Sequence, residues 1–332
     1  MKPKISVIVL NYNGLNFLKK CIPTIQKQTY KNIEIIVSDN HSNDGSLNYL
    51  TKFSKIVVIK NNKNFGYSKA NNLAAKKATG DFLFFLNNDT ELFVDAVENL
   101  MKCYKERSIM TARQIPVWNK KYYGSSGAGI DIFGYPYVED QNNPRKTRVF
   151  YADGAMFFIK KKDFVDLGMF DEALFIFQED IDLSWRAHLF GYKIISCWEA
   201  KLYHHSGGTV LGGSNNLKKY TTSYLRRYLN EKNTIRNILK NYSFPLGILV
   251  LAILLIAHCF EIVVLTLFGK WKVIQCYLKA YCWNITHLGN TLSFRKYVQR
   301  RRRISDIELI KKMYWTYAKL HMFIKLGIPE FQ

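Results

Sequence analysis

Along the first hundred residues, continuous apolar runs alternate with stretches whose apolar positions recur every three or four residues. The runs are ISVIVL (5–10), IEIIV (33–37), IVVIK (56–60) and FLFFL (82–86). They are short and rich in β-branched and aromatic residues, which predicts strands buried on both faces. Between them Leu15, Leu18, Ile22 and Ile25 mark one helical face, ANNLAAKKA (70–78) reads as a helix, and another helix is expected near 93–105. Strands alternating with helices predict an α/β fold with a mostly parallel sheet and right-handed crossovers. Such sheets bind ligands beyond the carboxyl ends of their strands.

The residues expected at those ends are Asn11, Asn13, Asp39, Asn64 and Asp89. All are polar, and none is expected in the core. The sharpest case is DFLFFLNNDTEL (81–92), which passes from five large apolar side chains straight into Asn87-Asn88-Asp89. A turn would explain one such ending. Four successive strands that end this way make a polar rim, which reads as a site. The chain has no GxGxxG and no GxxxxGK[ST], so neither a dinucleotide fingerprint nor a P-loop accounts for the rim. NNKNFGYS brings only Gly66 to its loop, which is little evidence for a phosphate cradle by itself.

Residues 113–150 are the least regular, with Gly124, Gly127, Gly129, Gly134 and the polar QNNPRKTR suggesting loops around an acceptor. From 151 the pattern sharpens. AMFFIK is strand-like, and FDEALFIFQEDIDLSWRAHLFGY leads into a helix with Glu179, Asp180 and Asp182 in its first turn. Acidic residues there suit the helix dipole, and Asp182 and Arg186 are spaced to pair on the helix surface. WEAKLYHHSGGT then sets two histidines before a Gly-Gly turn.

After about residue 240 the character changes, so the expected domains are 1–240 and 241–332. LGILVLAILLIAHCFEIVVLTLF (246–268) is long enough to cross a bilayer, yet His258 and Glu261 interrupt it. Spanning, lying in the interface and packing as a core helix all remain open. The tail 269–332 carries thirteen Lys or Arg against three Asp or Glu, which suits the cytoplasmic face of a membrane with anionic lipid. Over the whole chain Lys and Arg number 48 and Asp and Glu 26, a net +22 that calls for an anionic partner without naming one. Six cysteines with no CxxC pair read as scattered reduced thiols. The six apolar residues of MKPKISVIVLNYNG are too few for a signal-peptide core, so this part is expected to stay in the cytoplasm.

If the rim holds a sugar nucleotide, Asp39 can accept from the imide N–H of uracil or thymine, and the amides can meet base and ribose. The diphosphate must be neutralised before it departs. A hard divalent cation with oxygen ligands and one imidazole would do so, and Asp89 would hold it.

Seven motifs in order then resemble a known family: VIVLNYNG, VSDNHSNDGS, NFGYSKANN, LNNDTEL, ADGAMFFIKKKDF, GMFDEALFIFQEDIDLSWR and YHHSGGT. Over residues 4–236 they look like family 2 glycosyltransferases of the GT-A fold, most of all the rhamnosyltransferase-like members. The resemblance implies a Rossmann-like nucleotide-diphospho-sugar transferase fold, and the hydropathy and charge of 241–332 add a membrane-associated helical region after it. It also implies an inverting, metal-dependent hexosyltransferase. By matching motifs, Asp180 is the catalytic base and Glu179 supports it. Asn11, Asn13, Asp39, Asn64, Gly66, Asn72, Asn88 and Asp153 border the nucleotide sugar. Asp89 and His204 hold Mg2+ or Mn2+, with Asn87 where the family's first metal-motif Asp often stands, and His205 is a loop residue. The implied donor is dTDP-rhamnose or a UDP-sugar. The implied acceptor is a glycan or lipid-linked glycan in cell-surface polysaccharide synthesis, with the catalytic domain on the cytoplasmic side of the cell membrane.

Three other readings compete. A sugar-phosphate nucleotidyltransferase would carry a glycine- and basic-rich loop after its first strand, where this chain has NYNGLNF. A nucleic-acid-binding protein would suit the charge but no binding motif appears. A catalytically silent nucleotide-sugar-binding protein would keep the fold and lose the arrangement of Asp89, Asp180 and His204.

Overall fold

A computed structural model describes residues 2–117, 124–137, 148–205 and 221–331. The chain divides into two compact units, Met1–Ala128, Val138–Ala187 and Tyr192–Thr209 in the first, Gly129–Tyr137, His188–Gly191 and Val210–Gln332 in the second. The boundary expected at 240/241 falls within the second unit. Most of the QNNPRKTR tract and the Gly-Gly turn after His205 lie outside the described residues.

The chain runs Ile5–Asn11 (β1), Leu15–Gln26 (α1), Ile33–Asp39 (β2), Ser46–Leu50 (α2), Ile56–Lys60 (β3), Gly66–Lys77 (α3), Phe82–Asn87 (β4), Thr90–Leu92 (β5), Ala96–Cys103 (α4) and Ser108–Pro116 (β6). Two-residue strands Gly129–Ile130 (β7) and Pro136–Tyr137 (β8) pair within the second unit. The first unit resumes with Met156–Lys160 (β9), Lys161–Asp166 (α5), the start of Glu179–Leu189 (α6) and Lys193–His204 (β10).

Its sheet has the order β3-β2-β1-β4-β9-β6-β10-β5. The pairs β3–β2, β2–β1, β1–β4 and β6–β10 are parallel, while β4–β9, β9–β6 and β10–β5 are antiparallel. Parallel pairing prevails, and β9 is the insertion that breaks it. Burial on both faces explains the apolar runs of β1, β2 and β4, while β3 is the edge strand and leaves Val57 exposed. Val7, Val9, Phe84 and Leu86 pack with Leu18, Cys21, Ile22 and Ile25 of α1. The alternate residues face the other way, where Phe85 meets the rings of Phe164 at 4.9 Å and Phe170 at 5.1 Å. Each such side chain contributes roughly 1.5–3 kcal/mol of burial.

Two expectations are corrected here. Asp182 and Arg186 do pair, at 2.7 Å, but both side chains are fully buried, because α6 lies inside the unit. Arg186 also donates to the carbonyls of Leu167 and Met169, so the pair pins the turn before α6 to the helix. The cysteines are not all reduced: Cys103 and Cys197 are bonded, where the fold brings the end of α4 beside β10, and Cys21, Cys259, Cys276 and Cys282 are free.

The second unit is helical: Thr221–Thr222 (β11), Tyr224–Asn241 (α7), Phe244–Leu267 (α8), Val273–Thr286 (α9), Leu288–Arg301 (α10), Asp306–Ile310 (α11), Ala318–Leu326 (α12) and Glu330–Phe331 (β12). Helix α7 is the unit's polar spine, with Arg227, Glu231, Lys232, Arg236 and Lys240 all buried. Helix α8 has 24 residues and a mean hydropathy of 2.9 over its best window, of which 22% is buried. By length and composition it could cross a membrane. A core helix would be covered, and α8 is not.

Candidate active site

Strand register assembles the first half of the site. Asp89 lies in the turn between β4 and β5, and β5 runs antiparallel to β10 with Thr90 opposite His204. The backbone N–H of His205 donates to the Asp89 carbonyl at 2.9 Å. This ladder sets the His204 imidazole Nε2 3.4 Å from the Asp89 carboxylate Oδ1. His205 points to a different partner, Glu91 Oε1, at 2.7 Å.

The second half comes from β9. Leu86 pairs with Met156, and the Asn87 N–H donates to the Ala155 carbonyl at 3.0 Å, which holds Asp153-Gly154 beside the Asn87–Asp89 turn. Gly154 N–H in turn donates to Asp180 Oδ2 at 2.9 Å, and Tyr67 Oη donates to the Gly154 carbonyl at 2.8 Å. A Cβ on Gly154 would lie 3.2 Å from Asp180 Oδ2. Within the first unit, the His204–Asp89 pair is thus joined through the Asn87–Asp89 turn, the Asn87–Ala155 hydrogen bond and Gly154 to Asp180.

The charges in this chain interact. Burial and the Asp153 carboxylate push Asp180 up to about 7, against the N–H donors of Ile181 and Gly154 that pull it down. The start of α6 favours the ionised form, but burial and Asp153 outweigh it. Burial pushes Glu179 well above the carboxylate range, and the charge of Asp180 raises it further. Burial thus lifts both neighbouring carboxyls, and Asp180 titrates near neutrality. Burial would lower the His204 imidazole, yet the hydrogen bond and charge of Asp89, aided by Asp153, raise it.

A raised carboxyl pKa in the folded state makes that state bind more protons than the unfolded chain between about pH 4 and 7. The Asp180 contribution to stability is thus present below pH 4 and lost as pH rises through 7. Asp180→Asn is expected to be more stable than the parent at pH 8 by ~1–2 kcal/mol, scaled down because the carboxyl is only half-buried, and the gap should close towards pH 4. Urea unfolding at the two pH values checks this.

The amide rim is more deeply set than the sequence suggested. Asn11 and Asp39 are fully buried. Asn11 Nδ2 donates to Asp39 Oδ2 at 2.9 Å, Ser42 N–H donates to Asp39 Oδ1 at 2.9 Å, and Asn88 Nδ2 donates to Asn11 Oδ1 at 2.7 Å. Asp39 thus holds the Asn11 side chain and the Ser42 backbone in place. Asn13 is exposed, and its side chain accepts from Asn43 N–H at 2.9 Å. Asn64 uses its oxygen on Gly66 N–H at 2.8 Å and on Asn40 Nδ2 at 3.1 Å. Gly66 has φ +75°, and a Cβ there would lie 2.4 Å from the Phe175 carbonyl, which accepts from Tyr67 N–H. Its glycine serves close packing. The Asn72 amide bonds Phe170 in both directions, at 2.9 and 3.1 Å, tying α3 to the chain before α6.

The sequence reading missed several residues. Asn40 links Asn61, Asn64 and Gly66, and Ser42 links Asn11 and Asn13. Phe175 sits at φ 67°, ψ −69° in a γ-turn of the rare kind, with Phe177 and Gln178 also left-handed, so the segment leading into Glu179-Asp180 is strained. Gly14 had a readable signal in NYNG. A Cβ there would lie 2.0 Å from Asn88 Nδ2 and 2.8 Å from Asn11 Oδ1. Gly14→Ala is expected to break the Asn11–Asn88 bond and destabilise the chain by ~1–3 kcal/mol, read as a lowered Tm.

Asp89 and His204 fit a divalent cation. One offers a hard oxygen, the other an imidazole, and their donor atoms converge to 3.4 Å on a shared side. No third His, Cys, Asp or Glu clusters with them among the described residues, consistent with Asn87 in place of a carboxylate. The cluster formed by Cys103, Cys197 and Glu199 is set aside because its two sulfurs are bonded to each other.

Residues 6–168 match the model of the family named Glycosyl transferase family 2. The family 2 match holds Asn11, Asp39, Asn64, Asp89 and Asp153, and ends before Asp180 and His204. Glycosyltransferase GlyA of Streptococcus pneumoniae is 38% identical over 102 residues, 30% of this chain and 15% of that protein. A GalNAc(5)-diNAcBac-PP-undecaprenol beta-1,3-glucosyltransferase of Campylobacter jejuni is 35% identical over 105 residues, 30% of this chain and 34% of that protein. The chain thus spans well under half the length of these curated relatives. The solved structure of GalNAc-T7 with UDP, GalNAc and Mn2+ superposes with a TM-score of 0.54 at 20% identity, covering 72% of this chain and 48% of that one. At that identity the likeness establishes the fold, which is GT-A.

Proposed function

We propose that the chain is an inverting family 2 glycosyltransferase that moves a sugar from a nucleoside-diphosphate donor to a hydroxyl of a glycan or lipid-linked acceptor. The observation that carries this reading is the connection from the Asp89–His204 pair through the Asn87–Asp89 turn, the Asn87–Ala155 hydrogen bond and Gly154 to Asp180. It brings a cation-binding pair and a base with a pKa of about 7 into one neighbourhood. The family 2 match supports the reaction class.

Asp180, once ionised, takes the proton from the acceptor hydroxyl as that oxygen attacks the anomeric carbon. The nucleoside diphosphate leaves from the opposite face, so a single displacement inverts the centre. Asp89 and His204 would hold Mg2+ or Mn2+, which supplies Lewis-acid neutralisation of the departing diphosphate. Glu179, its carboxyl raised by burial and by the charge of Asp180, supports the base from the preceding position. Gly154 N–H and Tyr67 hold Asp180 and the Asp153 loop in register. Asp39 fixes Asn11 and Ser42 as the floor of the nucleotide site.

The donor we propose is a dTDP- or UDP-sugar, with dTDP-rhamnose first. The lipid-linked acceptor in the name of the Campylobacter relative supports an acceptor of that kind and a role in cell-surface polysaccharide synthesis. We further propose membrane association through the second unit, with the catalytic unit facing the cytoplasm. The Cys103–Cys197 bond argues the other way, since disulfides persist in oxidising compartments.

A panel of dTDP-, UDP- and GDP-sugars with Mn2+ or Mg2+ tests the reaction. Transfer or slow hydrolysis of one class, with NMR showing an inverted anomer, is expected. A retained anomer, or a sugar phosphate joined to a nucleotide, would overturn the proposal.

A further inference from the structure

Helix α8 carries two opposed stripes. Gly247, Val250, Leu254, His258 and Leu265 are buried within the second unit. Leu249, Ile253, Ile256, Phe260, Val263 and Leu267 are between 44% and 80% exposed and recur every three or four residues. At about 100° per residue the stripes lie roughly 140° apart. The exposed stripe runs from Leu249 to the end of the helix, about 27 Å, and is a continuous apolar surface of the kind that marks an interaction site.

The buried stripe fixes how that surface can meet a membrane. His258 Nε2 lies 3.1 Å from Glu231 of α7, and its Nδ1 lies 3.0 Å from Tyr281 Oη. Glu261 pairs with Arg227 of α7 at 2.8 Å and with Lys319 at 3.1 Å, and Lys319 also pairs with Glu231 at 2.6 Å. These groups sit two-thirds of the way along α8. Were α8 to span, it would have to draw polar α7 and the Lys319 segment into hydrocarbon, or leave buried charges without partners. Breaking a buried ion pair from one side is strongly destabilising.

The turn after α8 adds charge complementarity. It reads Phe268-Gly269-Lys270-Trp271-Lys272, with Phe268 and Trp271 more than half exposed. Aromatic rings flanked by lysines suit the headgroup level of an anionic leaflet, and residues 269–332 carry thirteen basic against three acidic residues.

We infer that α8 lies in the plane of an anionic lipid surface, its Leu249–Leu267 stripe immersed and its His258–Glu261 face kept in the protein. This deepens the membrane association proposed above and needs neither donor nor acceptor.

The test uses the full chain with nitroxide labels placed singly at 249, 253, 256, 260, 263 and 267, after Cys259 and Cys282 are replaced by Ser. Depth is read by EPR on phosphatidylglycerol–phosphatidylcholine vesicles. In-plane binding predicts one shallow depth for all six. A profile that reaches the bilayer centre near 256 and returns by 267 would overturn the inference in favour of a span. Flotation should give binding to phosphatidylglycerol vesicles that falls with NaCl, and Ile256→Glu with Phe260→Glu should weaken it at least about tenfold with Tm and solution hydrolysis of the donor unchanged. A folded chain that ignores the vesicles and dimerises through the stripe would also overturn it. Vesicle binding without turnover of any sugar nucleotide would count against the catalytic reading alone.

Discussion

Replacing Asp180 by Asn is expected to cut transfer by about a thousandfold while donor affinity stays within about threefold of the parent. General-base catalysis is worth 10²–10⁴ in rate, and about a thousandfold corresponds to ~4 kcal/mol of barrier. The amide keeps the shape and can still accept from Gly154 N–H, so the loop 2.9 Å away should hold its place. In the parent, kcat/KM should fall on the acid side with a pKa of about 7, because burial and Asp153 raise the Asp180 carboxyl to that value and only its ionised form can take a proton. Loss of affinity and turnover in equal measure would assign Asp180 to donor binding. A folded Asp180→Asn with parental activity would remove it from the chemistry altogether.

Replacing Asp89 by Asn is expected to act the other way, on binding. The variant should lose the dependence of donor affinity on Mn2+ and bind the nucleotide sugar about a hundredfold more weakly at saturating metal. The prediction follows from the Asp89 carboxylate and the His204 imidazole, whose donor atoms lie 3.4 Å apart and would hold the cation together. Removing the charged oxygen donor of that pair should weaken the metal and, with it, the diphosphate that the metal neutralises. Calorimetric titration of the donor with and without Mn2+ measures it.

Much of the sheet was legible because β1, β2 and β4 are buried on both faces and so read as unbroken apolar runs, and the edge strand β3 shows as a β-branched run. The strands that escaped do not have that signature. The 108–116 strand, SIMTARQIP, carries Arg113 and Gln114, and the 193–204 strand is interrupted by a register shift between Cys197 and Lys201. Strand β9 was visible as apolar, but nothing local says that it enters antiparallel between β4 and β6.

The site residues were legible as types and not as environments. Strand-end amides announce themselves by breaking an apolar run. Whether such an amide faces a ligand or props up its neighbour depends on what the rest of the chain places over it. Asn72 is occupied by Phe170, 98 residues away, and Asp39 by Asn11 and Ser42. The Asp182–Arg186 spacing is correct, but only tertiary burial tells an internal pin from a surface pair. The Cys103–Cys197 bond, 94 residues apart in sequence, is unreadable for the same reason. The contact from Asp89 to His204 depends on the β5–β10 register, and β5, three residues long, gives almost no signal in sequence.

The most direct measurement is an anomalous difference map from a crystal soaked with Mn2+ and the nucleoside diphosphate of the preferred donor. The proposed function predicts one strong peak bonded to Asp89 and His204, with the diphosphate against it and Asp180 on the side open to an acceptor. A peak held by other residues, or a diphosphate bound apart from Asp89, His204 and Asp180, would contradict it.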